Sequence, residues 1–195
     1  MSSLRPFHPL DLLRFNLANL DVLTETYDIS FYLSYMAKWP TLMSVMESSR
    51  GKIMGYIMGK AEGTSKDWHG HVTAVTVAPD YRRLGLAKTM MDELERVTTS
   101  VYNGYFVDLY VRVSNDVAIR MYEGMGYSVY RTVVEYYSSG IGTIVGGGGG
   151  KGRGKEAEAG DEDAYDMRKP MRRDKHRRSV RENGREVKVL PHEVW

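Results

Sequence analysis

The chain has 195 residues, 42% of them hydrophobic, which suits one domain with a full core plus appendages and excludes wholesale disorder. Cysteine is absent, so a disulfide framework, thiolate metal sites and a cysteine nucleophile are excluded, and a reducing compartment fits. The formal net charge of +2 is uneven: residues 169–195 hold nine Lys/Arg against four Asp/Glu, leaving the remainder slightly acidic.

The first residues, Met1-Ser2-Ser3-Leu4-Arg5-Pro6, lack the apolar run of a signal peptide. No stretch approaches the ~20 apolar residues that span a bilayer. A cytoplasmic protein with no membrane contact is expected. Leu4–Phe7 reads as a first strand. From Pro9 a helical pattern follows, with Leu10, Leu13, Leu17 and Leu20 at three- and four-residue steps. Asp21–Ser30 is polar and reads as a loop. A second helix fits Phe31–Lys38, stopped by Trp39-Pro40. Three strands are predicted next, over Leu42–Glu47, Lys52–Glu62 and Trp68–Ala78, separated by polar turns.

A helix from Leu84 to Thr99 places Leu86, Met90, Leu94 and Val97 on one face. Tyr105–Val111 is a strand rich in aromatic and β-branched residues, Asn115–Met125 a helix, and Tyr127–Tyr137 a further strand. The glycine run Gly146–Gly150 reads as a flexible linker spanning 139–160. Residues 161–169 include a short strand, Ala164–Lys169, returning to the sheet, and 170–195 read as a basic, disordered tail. Such a tail is either a solvated segment or a contact for RNA. Consecutive strands imply antiparallel pairing and the later β-α-β crossovers imply parallel strands. The fold class is therefore mixed α/β: one mostly antiparallel sheet of about seven strands flanked by four helices.

The strongest motif is Val75-Thr76-Val77-Ala78-Pro79-Asp80-Tyr81-Arg82-Arg83-Leu84-Gly85-Leu86-Ala87. A strand ends, the chain turns, and a helix starts around a glycine. The unpaired N–H groups of that helix start suit a phosphate, Gly85 permits close approach, and Arg82 and Arg83 add positive charge. The same residues also make an ordinary basic turn. G-x-G-x-x-G and G-K-[ST] are both absent. Downstream, Ser114-Asn115-Asp116 reads as a helix N-cap, and Asn115, Ile119 and Tyr122 share one helical face.

R-R-L-G-L-A resembles the R/Q-x-x-G-x-G/A pyrophosphate loop of the GNAT acetyltransferases, and R-V-S-N…A-I-R-M-Y-x-x-x-G-Y resembles their later helix. The resemblance implies a GNAT fold and acetyl-CoA as cosubstrate. It places Arg82, Arg83, Gly85, Leu86 and Ala87 on the pyrophosphate, and Val75, Thr76 and Val77 along the pantetheine arm. Asn115 falls near that arm and Tyr122 beside the thioester sulfur, where a hydroxyl can protonate the departing thiolate. The competing reading of Tyr122 is packing alone.

Further stretches, Leu20–Tyr27, Trp68–Ala74, Tyr105–Leu109, Glu135–Tyr137 and Asp163–Lys169, resemble the catalytic subunits of NatB N-terminal acetyltransferase complexes over residues 1–138 and 161–169. That similarity implies acetylation of the initiator Met in chains beginning Met-Asp, Met-Glu, Met-Asn or Met-Gln. The implied partners are a large helical-repeat auxiliary subunit and, near the ribosome, nascent peptide N-termini. The peptide would meet Glu25, Tyr27, His71, Thr73, Tyr136 and Tyr137. Aromatic walls suit a methionine side chain, and His71 and Thr73 can donate to a polar second residue. Glu25, His71 or a water is the candidate base. Its task is modest, since an α-amine with pKa ≈ 7.7–8.0 is roughly a tenth neutral near pH 7. His69 and His71 point to one strand face, but no third ligand suggests itself and no metal is expected. The excess apolar residues of the first helix and the loop after it, from Leu10 to Leu23, are predicted to dock on the auxiliary subunit. The alternatives are a GNAT acting on lysine or a small amine, or a non-catalytic acyl-CoA-binding module.

Overall fold

The computed structural model describes residues 2–20, 24–137 and 162–194. In chain order these form β1 (Ser2–Pro6), α1 (Asn16–Asn19), α2 (Ile29–Lys38), β2 (Met43–Ser48), β3 (Ile53–Glu62), β4 (His69–Val77), α3 (Leu86–Ser100), β5 (Phe106–Arg112), α4 (Asp116–Gly124), β6 (Ser128–Val133), β7 (Ala164–Pro170) and β8 (Lys188–Val189). The strands make one eight-stranded sheet in the order β1-β2-β3-β4-β5-β7-β6-β8. Only β4–β5 and β6–β8 are parallel neighbours. The second crossover does not place β6 beside β5. Instead β7 inserts between them and pairs antiparallel with both.

Burial follows from that order. β3 is central and apolar on both faces, and nine of its ten residues are buried. On one face α3 presses Met90, Met91, Leu94 and Val97 against Ile57, Val107, Leu109 and Met167. On the other, α1 and α2 bring Phe15, Ala18, Phe31, Tyr32 and Tyr35 onto Met43, Val45, Tyr56 and Met58.

Three expectations need correction. The periodic leucines after Pro9 do not build one helix. Pro9–Leu13 is a 3-10 turn, and only Asn16–Asn19 is α-helical. Asp11 is the cause. It is buried, takes two hydrogen bonds from the Arg5 guanidinium (2.7 and 2.8 Å) and one from the His8 amide. The Arg14 amide closes back on the Asp11 carbonyl, a three-residue step that ends the turn. Phe15 then swings into the aromatic core, while Leu10, Leu13, Leu17 and Leu20 stay exposed.

The strand predicted over Tyr127–Tyr137 stops at Val133. The chain then turns, with Glu135 at φ 53° and its amide on Asp163 Oδ1 at 2.9 Å.

The basic segment after residue 170 is ordered, not a disordered tail. Asp174 is buried and accepts from the Arg178 amide and from the Ser179 amide and hydroxyl. The Arg168 and Arg181 guanidinium groups lie 3.8 and 4.2 Å from the Tyr130 ring centre. Gly184 lies against β6 so closely that a Cβ there would sit 1.9 Å from the Val129 carbonyl oxygen. β8 then pairs with Thr132 and Val133. The predicted linker, 139–160, lies outside the described residues.

Candidate active site

β4 and β5 are hydrogen-bonded neighbours over three residue pairs only, Gly70–Val72 with Val107–Leu109. At the next residue β4 carries a bulge: Met58 pairs with Ala74 and Gly59 with Val72, so Thr73 is the extra residue. A bulge bends its strand and increases twist, and from here the two strands part. Among the described residues no strand pairs with residues 73–77 on the β5 side, and these residues line a groove of about 820 Å³. Val75, Thr76, Val77, Arg82, Arg83, Gly85, Leu86, Ala87, Asn115 and Tyr122 all border it.

At one end of the groove the backbone is shaped for an anion. Arg83 (φ 64°) and Gly85 (φ 76°) both take the left-handed conformation just before α3, and Gly85 caps the helix. Alternating conformations of this kind turn successive N–H groups into one concavity, which the helix dipole reinforces. A Cβ built on Gly85 would meet nothing within 4 Å, so the concavity opens to the groove. The Arg82 side chain is tied back to the Val77 carbonyl at 3.1 Å.

Midway along the groove, Asn115 caps α4 by accepting from the Ala118 amide at 3.1 Å. One face further along that helix is Tyr122. Its ring is packed among core residues and its hydroxyl makes no hydrogen bond among the described residues. Burial pushes the phenol up to about 12, so the hydroxyl stays protonated at neutral pH.

The other end narrows into an aromatic compartment of about 50 Å³, lined by Glu25, Tyr27, Phe31, Tyr35, His71, Val72, Thr73, Tyr110, Tyr136 and Tyr137. Tyr27 stacks on Phe31 and Tyr110 on Tyr136. The Tyr35 hydroxyl meets Thr73 Oγ1 at 3.0 Å, and Thr24 meets Thr76 at 2.6 Å, which ties α2 and the loop before it to β4. Glu25 accepts from the Tyr27 hydroxyl at 3.1 Å. The dense surroundings push its carboxyl up although its surface remains open to the groove. Burial also pushes the Tyr27, Tyr136 and Tyr137 phenols up, so all three remain neutral donors.

Behind the compartment, His71 Nδ1 lies 2.9 Å from Asp108 Oδ1, and His69 Nε2 lies 3.5 Å from Asp108 Oδ2. Burial pushes the Asp108 carboxyl up, but His69, His71 and Arg168 outweigh it and hold the group well below the usual carboxylate range. Among the described residues no cluster of His, Asp and Glu could hold a metal ion.

Residues 14–127 match the Acetyltransferase (GNAT) family. The chain is 55% identical over 196 residues to the N-terminal acetyltransferase B complex catalytic subunit naa20 of Schizosaccharomyces pombe, covering 100% of this chain and 99% of that one. It is 51% identical to N-alpha-acetyltransferase 20 of Dictyostelium discoideum over 92% of each chain. The chain belongs to the NatB catalytic subunits of the GNAT family. Its structure superimposes on that of Chaetomium thermophilum Naa20 in complex with a bisubstrate analogue with a TM-score of 0.84, at 43% identity and 99% coverage of both chains. A second relative, a NatB acetyltransferase complex bound to CoA and MES, gives 0.70 at 40% identity, covering 87% of this chain.

A NatB catalytic subunit is an N-terminal α-amino acetyltransferase that uses acetyl-CoA. The groove fits that cosubstrate. The anion concavity at Gly85 is open, β4 presents unpaired peptide groups, and the length between them and Tyr122 is continuous. The structure gathers every predicted site residue onto the groove or its compartment: His71 and Tyr136 line the compartment alone, and Glu25, Tyr27, Thr73 and Tyr137 line both. Sequence reasoning missed Phe31, Tyr35, Tyr110 and Asp108. An aspartate inside the apolar run Tyr105–Leu109 was the one available signal for Asp108, because a buried carboxylate needs a partner.

Proposed function

We propose that this chain acetylates the α-amino group of the initiator Met in proteins beginning Met-Asp, Met-Glu, Met-Asn or Met-Gln, as the catalytic subunit of a NatB-type complex. The observation that carries this reading is the continuity of an aromatic, donor-lined compartment with the open β4–β5 groove. Amides around Gly85, with Arg82, Arg83, Leu86 and Ala87 beside them, bind the diphosphate. Val75, Thr76 and Val77 hold the pantetheine arm through the peptide groups that β4 turns away from β3, and Asn115 borders it. Acetyl-CoA supplies an acyl thioester, whose carbonyl carbon gains a C–N bond to the amine and loses its C–S bond. Backbone N–H groups of β4 polarise that carbonyl. Tyr122 gives its proton, or a hydrogen bond, to the departing thiolate. Glu25 lines both the compartment and the groove, whereas His71 lines the compartment alone. Glu25 is therefore the acceptor of the amine proton, directly or through water, and His71 and Thr73 serve the second residue. Tyr27, Tyr136 and Tyr137 enclose the methionine side chain.

The exposed leucines Leu10, Leu13, Leu17 and Leu20 lie in one stretch ahead of α2, where Ile29 and Leu33 are exposed too. Exposed apolar side chains in this number suit burial against a helical-repeat auxiliary subunit, through which the complex would meet the ribosome. The arginines after residue 170 offer a contact for RNA, and the site of action is the cytoplasm.

The test combines the chain with its auxiliary subunit, acetyl-CoA and peptides starting Met-Asp, Ser-Glu or Met-Leu, each carrying an internal lysine, with products mapped by mass spectrometry. Acetyl is expected on the α-amine of the Met-Asp peptide. Preference for the internal lysine would defeat the reading.

A further inference from the structure

The hydrogen-bonded half of the β4–β5 pair contains charged groups that acetyl transfer leaves unused. Register sets His71 directly opposite Asp108. Both are buried, 5% and 2% exposed. An ionised carboxylate only accepts, so the His71 hydrogen sits on Nδ1, and Nε2 is the one ring nitrogen left for a substrate in the compartment.

The groups packed around the pair are Lys60 and Glu62 from β3, His69 from β4, Tyr110 from β5, Arg131 from β6, Asp166 and Arg168 from β7, and Tyr35 from α2; Glu25, Tyr27, Tyr136 and Tyr137 share the compartment with His71, and Asp67 lies 3.9 Å from Arg168. Lys60 pairs with Glu62 at 2.5 Å, and Arg131 and Arg168 both pair with Asp166. Three cations, Lys60, Arg131 and Arg168, thus stand among Glu62, Asp108 and Asp166. Glu62 Oε1 is buried, makes no hydrogen bond among the described residues, and stands 3.9 Å from each histidine. His69 stacks on Phe106, and the Asp67 carbonyl takes its Nδ1 hydrogen at 2.5 Å; it does not line the compartment.

We propose that His71, positioned by Asp108, reads the charge of the substrate's second residue by changing its own. It takes up a proton when that residue is Asp or Glu and stays neutral when it is Asn or Gln. The inference rests on the substrate class proposed above. A neutral Nε2 accepts a hydrogen bond from a side-chain amide. A carboxylate has no hydrogen to give, and it brings a further negative charge to the His71 imidazole, whose Nδ1 already faces Asp108. A proton on Nε2 supplies both the hydrogen bond and the opposite charge, and Asp108 holds the resulting imidazolium from the other side. Binding of an acidic second residue is then coupled to proton uptake, and binding of an amide is not.

The experiment measures kcat/KM for Met-Asp and Met-Asn peptides between pH 6 and pH 8.5, with the chain and its auxiliary subunit. Taking the ratio cancels the α-amine, Glu25 and Tyr122, which both peptides share. For an imidazole that must charge to bind one peptide only, the Met-Asp preference is expected to fall about tenfold or more over this range. In Asp108→Asn the amide oxygen still accepts from Nδ1 but carries no charge. The preference should lose its pH slope. A pH-independent ratio in the wild type, or a wild-type slope in Asp108→Asn, would overturn the proposal. Ring-nitrogen NMR of the wild-type complex with CoA and each peptide needs no variant. A proton gained at His71 Nε2 only with Met-Asp supports the proposal, and the same state with both peptides overturns it. Failure to acetylate either α-amine would bring down the proposed function as a whole. Turnover with a flat ratio defeats only the charge-reading role.

Discussion

Where β4 and β5 are joined, at Gly70–Val72, the structure behind them is filled with paired charges; where they part, beyond Thr73, it leaves bare peptide groups beside a groove. Both conditions arise from the same two strands. In the joined half every ionic group leans on another, so the energetics are those of a buried network, in which losing one member strands the rest. In the parted half the unpaired groups are hydrated until a ligand takes them, so a change there should be felt in binding and turnover more than in folding. The bulge at Thr73 is the boundary, and it places chemistry beside rigidity without an intervening loop.

The sharpest way to break this contrast is at its joined end. Asp108→Ala leaves His69 and His71 without their carboxylate, and removing one partner of a buried ionic cluster should cost about 3 kcal/mol of stability, read from denaturant unfolding. A loss below about 1 kcal/mol would show the two halves to be energetically alike. At the parted end, Tyr122→Phe removes a hydroxyl with no hydrogen bond among the described residues. It should lower kcat roughly a hundredfold while leaving the unfolding midpoint in place. The pH dependence has a definite sign. The Tyr122 phenol is raised to about 12 in the fold against about 10 in the unfolded chain. The stability this contributes is therefore complete below pH 10 and lost as pH rises through about 12. Any fall in kcat between pH 8 and 10 accordingly belongs to another group, and its persistence in Tyr122→Phe would sharpen the assignment. The smallest effect concerns Gly85→Ala. A side chain at φ 76° is strained by about 1 kcal/mol. Gly85 borders the groove beside the place proposed for the diphosphate, so KM for acetyl-CoA should rise several-fold with kcat unchanged.

Much of this was legible in the residues because the signals were local. The face Leu86–Met90–Leu94–Val97, the glycine before it, and the run of strands on either side each follow from short-range periodicity, and these position the groove. The early leucines misled because their spacing is helical while their burial is not. A pattern cannot report that Asp11 will be claimed by Arg5 and end the turn. The basic end misled in the opposite sense. Arginines usually stay in water, yet here Arg173 lies over the Tyr105 ring and Arg181 over the Tyr130 ring, and a buried aspartate organises the turn. His71 and Asp108 were unreadable as a pair because 37 residues separate them, and only the parallel register of two distant strands brings them into line.

β8 contributes two residues to the sheet, but their position gives them weight. β6 would otherwise present its outer row of amide and carbonyl groups to solvent, in the state from which strands of separate molecules join. By lying along Thr132 and Val133, with Gly184 pressed on Val129 beforehand, the final stretch of chain occupies that margin itself. The arginine-rich segment leading to it, turned about the buried Asp174 and held by Arg181 on Tyr130, is then the tether that keeps this short closing strand in place.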